Sequence, residues 1–175
     1  MNTIILLKKR NIFMKSEAEK LILIKFGIPK IVGMNEKDLI LETNAKKIAG
    51  TSEEDYFCID NSYKFCLLNK GEPIFSMDFF KPNQRLQGLR NDGQYIKLEL
   101  LYVHKNSLRK KGIATYYMNR LVQYAKEEGV THIKVDANPT ADNFTKDKKD
   151  NALNKEQLIS FYKKFEDKEI KIEIL

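Results

Sequence analysis

The sequence predicts one α/β domain, and three observations carry that prediction. Two apolar runs, Tyr63–Leu68 and Pro73–Phe80, flank a Gly-containing turn at Asn69–Glu72 and read as a β-hairpin. The run Tyr95–Val103 is apolar enough for an interior strand, and an amphipathic helix follows it. Beyond that helix, strand and helix patterns alternate to the end of the sequence. A length of 175 residues leaves room for one well-buried core and excludes two independent catalytic domains.

Taken in order, Ile4–Leu7 is β-like, and the charged and apolar mixture of Met14–Phe26 favours helix over strand. Gly27, Pro29 and Gly33 then interrupt the chain. Over Asn35–Ala49, Leu39, Ile40 and Ile48 fit an amphipathic helix closed by Gly50. Met34 offers an alternative start, which would make residues 1–33 an N-terminal extension. After the hairpin, a polar stretch with Pro82, Gly88 and Gly93 leads to the central strand. The helix that follows places Ile113, Tyr117, Leu121 and Ala125 on one face; Ala114, Met118 and Val122 widen the stripe and Gly129 ends it. In Thr131–Ala137, Ile133, Val135 and Ala137 alternate with polar residues as in a half-buried strand, which Asn138-Pro139 ends. Residues 140–153 are polar and lysine-rich and are expected to form a mobile loop. Asn154, with Gln157 three residues later, resembles a capping box opening a helix whose buried side is Leu158, Phe161, Tyr162 and Phe165. Ile170, Ile172 and Ile174 alternate with Lys171 and Glu173 in a last strand. There is no internal repeat.

Composition narrows the functional classes. Apolar residues make up 42% and charged residues 31%, as in a folded globular protein rather than a disordered chain. The net charge of +7 suits a phosphate-bearing ligand, a nucleic acid or an acidic partner and does not choose among them. No stretch approaches the roughly 18 consecutive apolar residues of a membrane helix. Met1–Arg10 has four apolar residues in a row with no basic segment before them, so no secretion signal is read and the cytoplasm is the expected location. Cys58 and Cys66 lack metal or redox spacing and read as core thiols in a reducing compartment. With two histidines, no metal site is expected.

The chemistry concentrates at Arg109-Lys-Lys-Gly-Ile-Ala114, between an apolar strand and a helix. The first turn of a helix offers backbone N–H groups without intrahelical partners and a partial positive charge, and both attract anions. Gly112 lets the backbone approach a pyrophosphate, Ala114 keeps the next turn small, and Arg109, Lys110 and Lys111 add charge. Thr115 adds a hydroxyl. The spacing matches neither a Walker A loop nor the G-x-G-x-x-G fingerprint, which disfavours nucleotide triphosphate hydrolysis.

Arg, two residues, Gly, one residue, Ala resembles the acetyl-CoA-binding motif of the GNAT superfamily, the Gcn5-related N-acetyltransferases. The resemblance runs from about Tyr63 to Phe165 in the family's order, and Leu158-Ile-Ser-Phe-Tyr-Lys-Lys-Phe165 looks like the family's fourth helix. It implies an acyl-CoA N-acyltransferase fold, a mixed, mostly antiparallel sheet flanked by helices. Residues 1–175 would form a single domain, with 95–165 as the cofactor-binding core. Three departures stand out. The interval Val103–Arg109 is about one residue longer than usual; Lys155, beside Asn154, replaces an Asn before the helix tyrosine, and Glu166-Asp167 replaces the usual Gly-Phe. Only enough chain for one final strand follows the helix where the family has two, so another subunit, as in a homodimer, could supply the distal wall.

The resemblance implies direct attack by an amine on the acetyl-CoA thioester, with no covalent acyl-enzyme. The backbone of Leu101, Tyr102 and Val103 would hold the pantetheine arm. Arg109, Lys110, Lys111, Gly112, Ile113, Ala114 and Thr115 would take the phosphates, with Asn154 also on the cofactor side. Tyr162 would be the general acid toward the departing thiolate, against a reading as a core aromatic beside Leu158 and Phe165. Glu99 would be the base, against a reading as an exposed carboxylate paired with Lys97; alternation puts it on the face of Leu101 and Val103. His104 is an alternative base, but a solvated loop role is the favoured reading, and His132 reads as a strand-edge residue. The acceptor is a primary amine of a small molecule or a protein. Two rivals remain: a protein of the same fold that binds CoA without turnover, and, ranked lower, a nucleic-acid-binding module using the Lys146–Lys149 segment.

Overall fold

The computed structural model describes residues 16–47, 54–59, 61–82, 94–139 and 150–175. The expected strand at Ile4–Leu7, the glycines Gly88 and Gly93, and most of the lysine-rich loop, including Lys146–Lys149, lie outside the described residues. Among the described residues there are three α-helices and eight strands: α1 (Glu17–Lys25), β1 (Leu39–Glu42), β2 (Asn44–Lys47), β3 (Glu54–Ile59), β4 (Ser62–Asn69), β5 (Glu72–Phe80), β6 (Tyr95–Val103), α2 (Ile113–Glu127), β7 (His132–Val135), α3 (Lys155–Lys163) and β8 (Lys171–Ile174). The strands form one mixed sheet in the order β2-β3-β4-β5-β6-β7-β8, with β1 also beside β4. Pairing is antiparallel as far as β6 and parallel across β6, β7 and β8.

Local chemistry explains most of these elements. Ser16 and Glu19 close a reciprocal capping box on α1, and Asn154 and Gln157 do the same on α3. The β4–β5 hairpin turns through Lys70 and Gly71, both at positive φ (52° and 82°), the backbone that lets a two-residue turn follow the strand twist. The expected helix over Asn35–Ala49 is not formed. A single 3-10 turn at Glu36–Asp38 leads straight into β1, and β2 follows. Leu39 and Leu41 are buried while Ile40 between them is exposed, a period of two that pairs β1 with β4. Ile48, the third apolar position of the supposed helix face, lies outside the described residues.

The core lies where α1 and α2 meet the sheet. Phe75 stacks on Tyr117 at 4.3 Å with an interplanar angle of 7°, and Phe26, Phe65, Phe79, Tyr63 and Tyr124 continue the aromatic layer. Each such ring pair contributes about 0.5–1.5 kcal/mol beyond its buried area. Ala18, Ile22, Phe26 and Ile31 are buried in this same core. The phenols of Tyr116 and Tyr117 donate to the carbonyls of Phe26 (2.7 Å) and Gly27 (3.2 Å), fixing the end of α1 to α2. Cys58 and Cys66 are buried free thiols, and burial pushes the Cys66 thiol up to about 12. No helix among the described residues is long and apolar enough to cross a membrane.

Candidate active site

Strand register creates the opening. Pairing between β6 and β7 ends at Leu98 opposite Val135, yet β6 continues to Val103. From Glu99 onward the β7-facing edge of β6 has no strand partner among the described residues, and the two strands part. On the β5 side, Phe79 is opposite Leu98 and Asp78 is opposite Leu100, so Glu99 is the extra residue of a β-bulge. The bulge reverses the alternation. Leu101 and Val103 pack against the main core with Leu98, whereas Leu100 joins Cys66 and Leu68 in a separate cluster. The expectation that simple alternation puts Glu99 on the face of Leu101 and Val103 is therefore incorrect.

A turn closes the upper end of this opening. Lys110 and Gly112 both have positive φ (62° and 86°), and Gly112 is the N-cap of α2. No side chain caps the helix, so its first amides are left without an internal partner, and a Cβ built on Gly112 would meet nothing within 4 Å. Glycine is required there by the backbone conformation, not by crowding from the protein. Arg109 has a different task from the one its charge suggests. Its guanidinium donates to the Val103 carbonyl (3.2 Å), the Tyr102 hydroxyl (3.1 Å) and the Asp150 carbonyl (2.7 Å), joining the end of β6 to the segment before α3.

The third wall is α3. Tyr162 is only 6% exposed, and its hydroxyl has no hydrogen-bond partner among the described residues. Burial, with the charge of Asp136 adding, pushes this phenol up to about 12, so it stays protonated through the physiological range. Together β6, the turn, the start of α2, the end of β7 and α3 enclose a cleft of about 960 Å³, within the range of small-molecule sites.

The cleft brings together Glu99, Leu101, Tyr102, Val103, Arg109, Lys110, Gly112, Ile113, Ala114, Thr115 and Tyr162. Two of the expected site residues are elsewhere. Lys111 lines a smaller cavity of about 380 Å³ with Pro29, Lys30 and Ile31 on the other side of the helix start. The Asn154 side chain caps α3 by accepting from the Gln157 amide at 2.8 Å, which commits it to the helix. Glu99 forms an ion pair with Lys97 at 2.8 Å and also lines the cleft. His104 is not a solvated loop residue: it is half-buried, and its Nε2 is 2.8 Å from the hydroxyl of the fully buried Ser76. Asp136, just past the last β6–β7 rung, also lines the cleft and was not singled out by the sequence. Nothing local marks it; its place follows from where the strands separate. Among the described residues no group of three or more His, Cys, Asp or Glu could hold a metal ion.

No curated protein sequence matches the chain significantly. Solved structures that resemble it include a ribosomal-protein-alanine N-acetyltransferase from Brucella melitensis biovar Abortus 2308, at 18% identity over 44% of this chain and 53% of that one, with a TM-score of 0.34. An aminoglycoside acetyltransferase from an uncultured soil metagenomic sample matches at 24% identity over 65% of this chain and 63% of that one, with a TM-score of 0.42. A further aminoglycoside acetyltransferase of such origin, in complex with trehalose, matches at 14% identity over 75% and 90%, with a TM-score of 0.45. The chain thus spans about half of the first of these and less than two thirds of the second. The acetyltransferase (GNAT) family matches residues 37–147, most of the sheet together with the turn and α2. Since that match extends over well more than half of the sequence and includes the strand, turn and helix around the cleft, the chain belongs to the GNAT acetyltransferase family.

Proposed function

We propose that the protein is an acetyl-CoA-dependent N-acetyltransferase that acts on a primary amine by direct attack in a ternary complex. The observation that carries this reading is the start of α2, where uncapped amides behind Gly112 open onto a cleft between parted strands. The residues present fit such a donor. The helix start and Lys110 offer positive potential to a diphosphate, and the edge of β6 beyond its last β7 rung, at Leu101 to Val103, offers backbone groups to an amide-bearing arm.

The donor supplies an acetyl thioester: the amine lone pair forms the C–N bond, the C–S bond breaks, and its electron pair leaves on sulfur. The protein's part is to position the reactants and move protons. Glu99, through water, takes the proton that an ammonium must lose before it can attack. Its ion pair with Lys97 restrains the carboxylate beside the parting strands. Tyr162 donates its phenolic hydrogen to the departing sulfur and is reprotonated through water by the second N–H proton, which the nitrogen sheds once the C–N bond has formed; burial keeps the phenol protonated between turnovers. Arg109 fixes the geometry between β6 and the approach to α3. Residues 1–175 act as one domain with 95–165 as the donor-binding core, a reading supported by the packing of α1 into the common core. Two buried free thiols fit residence in the reducing cytoplasm.

Calorimetric titration of acetyl-CoA into wild type and Gly112→Glu, with thiol release over an amine panel, tests the proposal. Wild type binds and releases thiol, and the variant, with a carboxylate at the helix start, loses affinity by about tenfold or more. Equal affinities would remove the donor site, and binding without thiol release from any amine would leave a non-catalytic CoA-binding protein.

A further inference from the structure

Tyrosine and cysteine aside, Thr43 and Ser76 are the fully buried polar side chains among the described residues. A buried hydroxyl costs free energy unless it is hydrogen-bonded. Thr43 meets Glu19 of the α1 capping box at 3.1 Å, a contact that belongs to the helix start. Ser76 turns instead to His104, whose Nε2 is 2.8 Å from its hydroxyl. In the β5–β6 register Ser76 is opposite Tyr102, so His104, two residues on, is its diagonal neighbour. The His104 amide donates to the Ile74 carbonyl at 3.1 Å and carries the ladder one step past β6. The His104 ring then meets Tyr102 edge to face, with centroids 5.2 Å apart and planes at 88°. Tyr102 engages Arg109 twice, through its hydroxyl and through its ring, which lies 5.6 Å from the guanidinium carbon. Contacts therefore run unbroken from a buried hydroxyl on β5 to the Arg109 clamp on Val103 and Asp150. Tyr102 and Arg109 are among the described residues that line the cleft; Ser76 and His104 are not.

We infer that Ser76 and His104 are positioning residues for the cleft: Ser76 orients the His104 ring, the ring sets Tyr102, and Tyr102 aims the Arg109 guanidinium at the two carbonyls that join β6 to the approach to α3. The inference rests on the acetyltransferase reading for what the cleft holds. His104 then has a task other than proton transfer, since it acts through Tyr102. The need for it follows from the parted sheet. Beyond Leu98 the described strand neighbour of β6 is β5 alone, so the end of the strand is held from the β5 side and by the Arg109 clamp. Ser76 lies on β5, and through His104 it ties the two supports together.

Two readouts test the relay. Solvent exchange of the Arg109 Nε–H, followed by nitrogen-15 NMR and assigned with Arg109→Lys, needs no ligand; the acetyl-CoA Kd is measured by calorimetry. In wild type the Arg109 Nε–H, bonded to the Val103 carbonyl, exchanges more slowly than that of exposed Arg120. Ser76→Ala removes that protection and weakens acetyl-CoA by about three- to tenfold. Tyr102→Phe, which keeps the ring and loses the hydroxyl, does the same. The double variant adds no further loss, because both changes act through one guanidinium. Should Ser76→Ala fail to fold, His104→Gln takes its place: its amide still partners Ser76, and it has no ring beside Tyr102. A Ser76→Ala or His104→Gln protein that melts lower while its Arg109 exchange and acetyl-CoA Kd stay at wild-type values would overturn the inference. Additive losses in the double variant would overturn it as well. Absence of acetyl-CoA binding to wild type would instead overturn the acetyltransferase reading, while the Nε–H exchange still decides the relay.

Discussion

Arg109 directs its guanidinium inward, to two carbonyls and a phenol, so its removal opens the cleft rather than merely reducing charge. Arg109→Lys keeps the charge and loses the planar fork. Raised acetyl-CoA Kd and faster proteolysis near Asp150 are expected for Arg109→Lys, with a salt dependence of binding like that of wild type. A phosphate ligand would behave otherwise, because losing its contact flattens the salt dependence. Tyr162→Phe is isosteric, and with the phenol pushed up to about 12 it removes a proton donor rather than a charge. Steady-state kinetics should show kcat falling about 10- to 100-fold with the acetyl-CoA Kd unchanged. Tyr162 itself contributes no limb to the pH–rate profile in the range from pH 6 to 9. A wild-type rate in the variant would return Tyr162 to a packing role.

Gly112 and Asp167 each act on an element. At φ +86°, Gly112→Ala strains the turn by about 1 kcal/mol while meeting no neighbour. The expected loss of donor affinity is modest and smaller than that of Gly112→Glu, so the pair separates backbone strain from charge at the helix start. Asp167, in the turn between α3 and β8, pairs with Lys126 near the end of α2 at 2.6 Å, and also accepts from the amides of Ile170 and Glu169. Lys126 first, then those amides, hold its carboxyl down at about 2. Because the folded state holds this proton less tightly than the unfolded one, the stabilisation is complete above the ordinary carboxylate pKa. It fades as pH falls from about 4 toward 2. Thermal melts should therefore show Asp167→Asn below wild type at pH 7, with the difference closing by pH 2. The capping boxes, the Lys70-Gly71 turn and the 15-residue α2 rest on neighbours in sequence, and such elements are legible there. Over residues 35–49 the pattern is ambiguous, because two apolar residues side by side, Leu39 and Ile40, fit a helix face as readily as a strand. The edge of β4, which claims Leu39 and Leu41, is distant in sequence.

At the level of the whole molecule, the parted sheet, the helix start and the core behind them are coupled, so donor binding should be visible as stability. At a hundredfold excess over its Kd, a ligand specific to the native state adds about 2.7 kcal/mol, worth about 5–10 °C in Tm for a domain of this size. Melting with and without acetyl-CoA should show that rise in wild type and little of it in Gly112→Glu. Local spacing was sufficient for the Gly112 turn, the helix after it and the tyrosine of α3, since each depends on residues a few positions apart. Three-dimensional packing alone decided the rest. Glu99 became a bulge because β5 and β6 differ by one residue in register. Arg109 became a clamp because Asp150 came within reach. Asp136 entered the site because β7 stops pairing at Val135. A one-dimensional pattern records which residue types recur at which intervals; it does not record where two strands cease to be neighbours, and in this protein that point of separation is where the proposed chemistry lies.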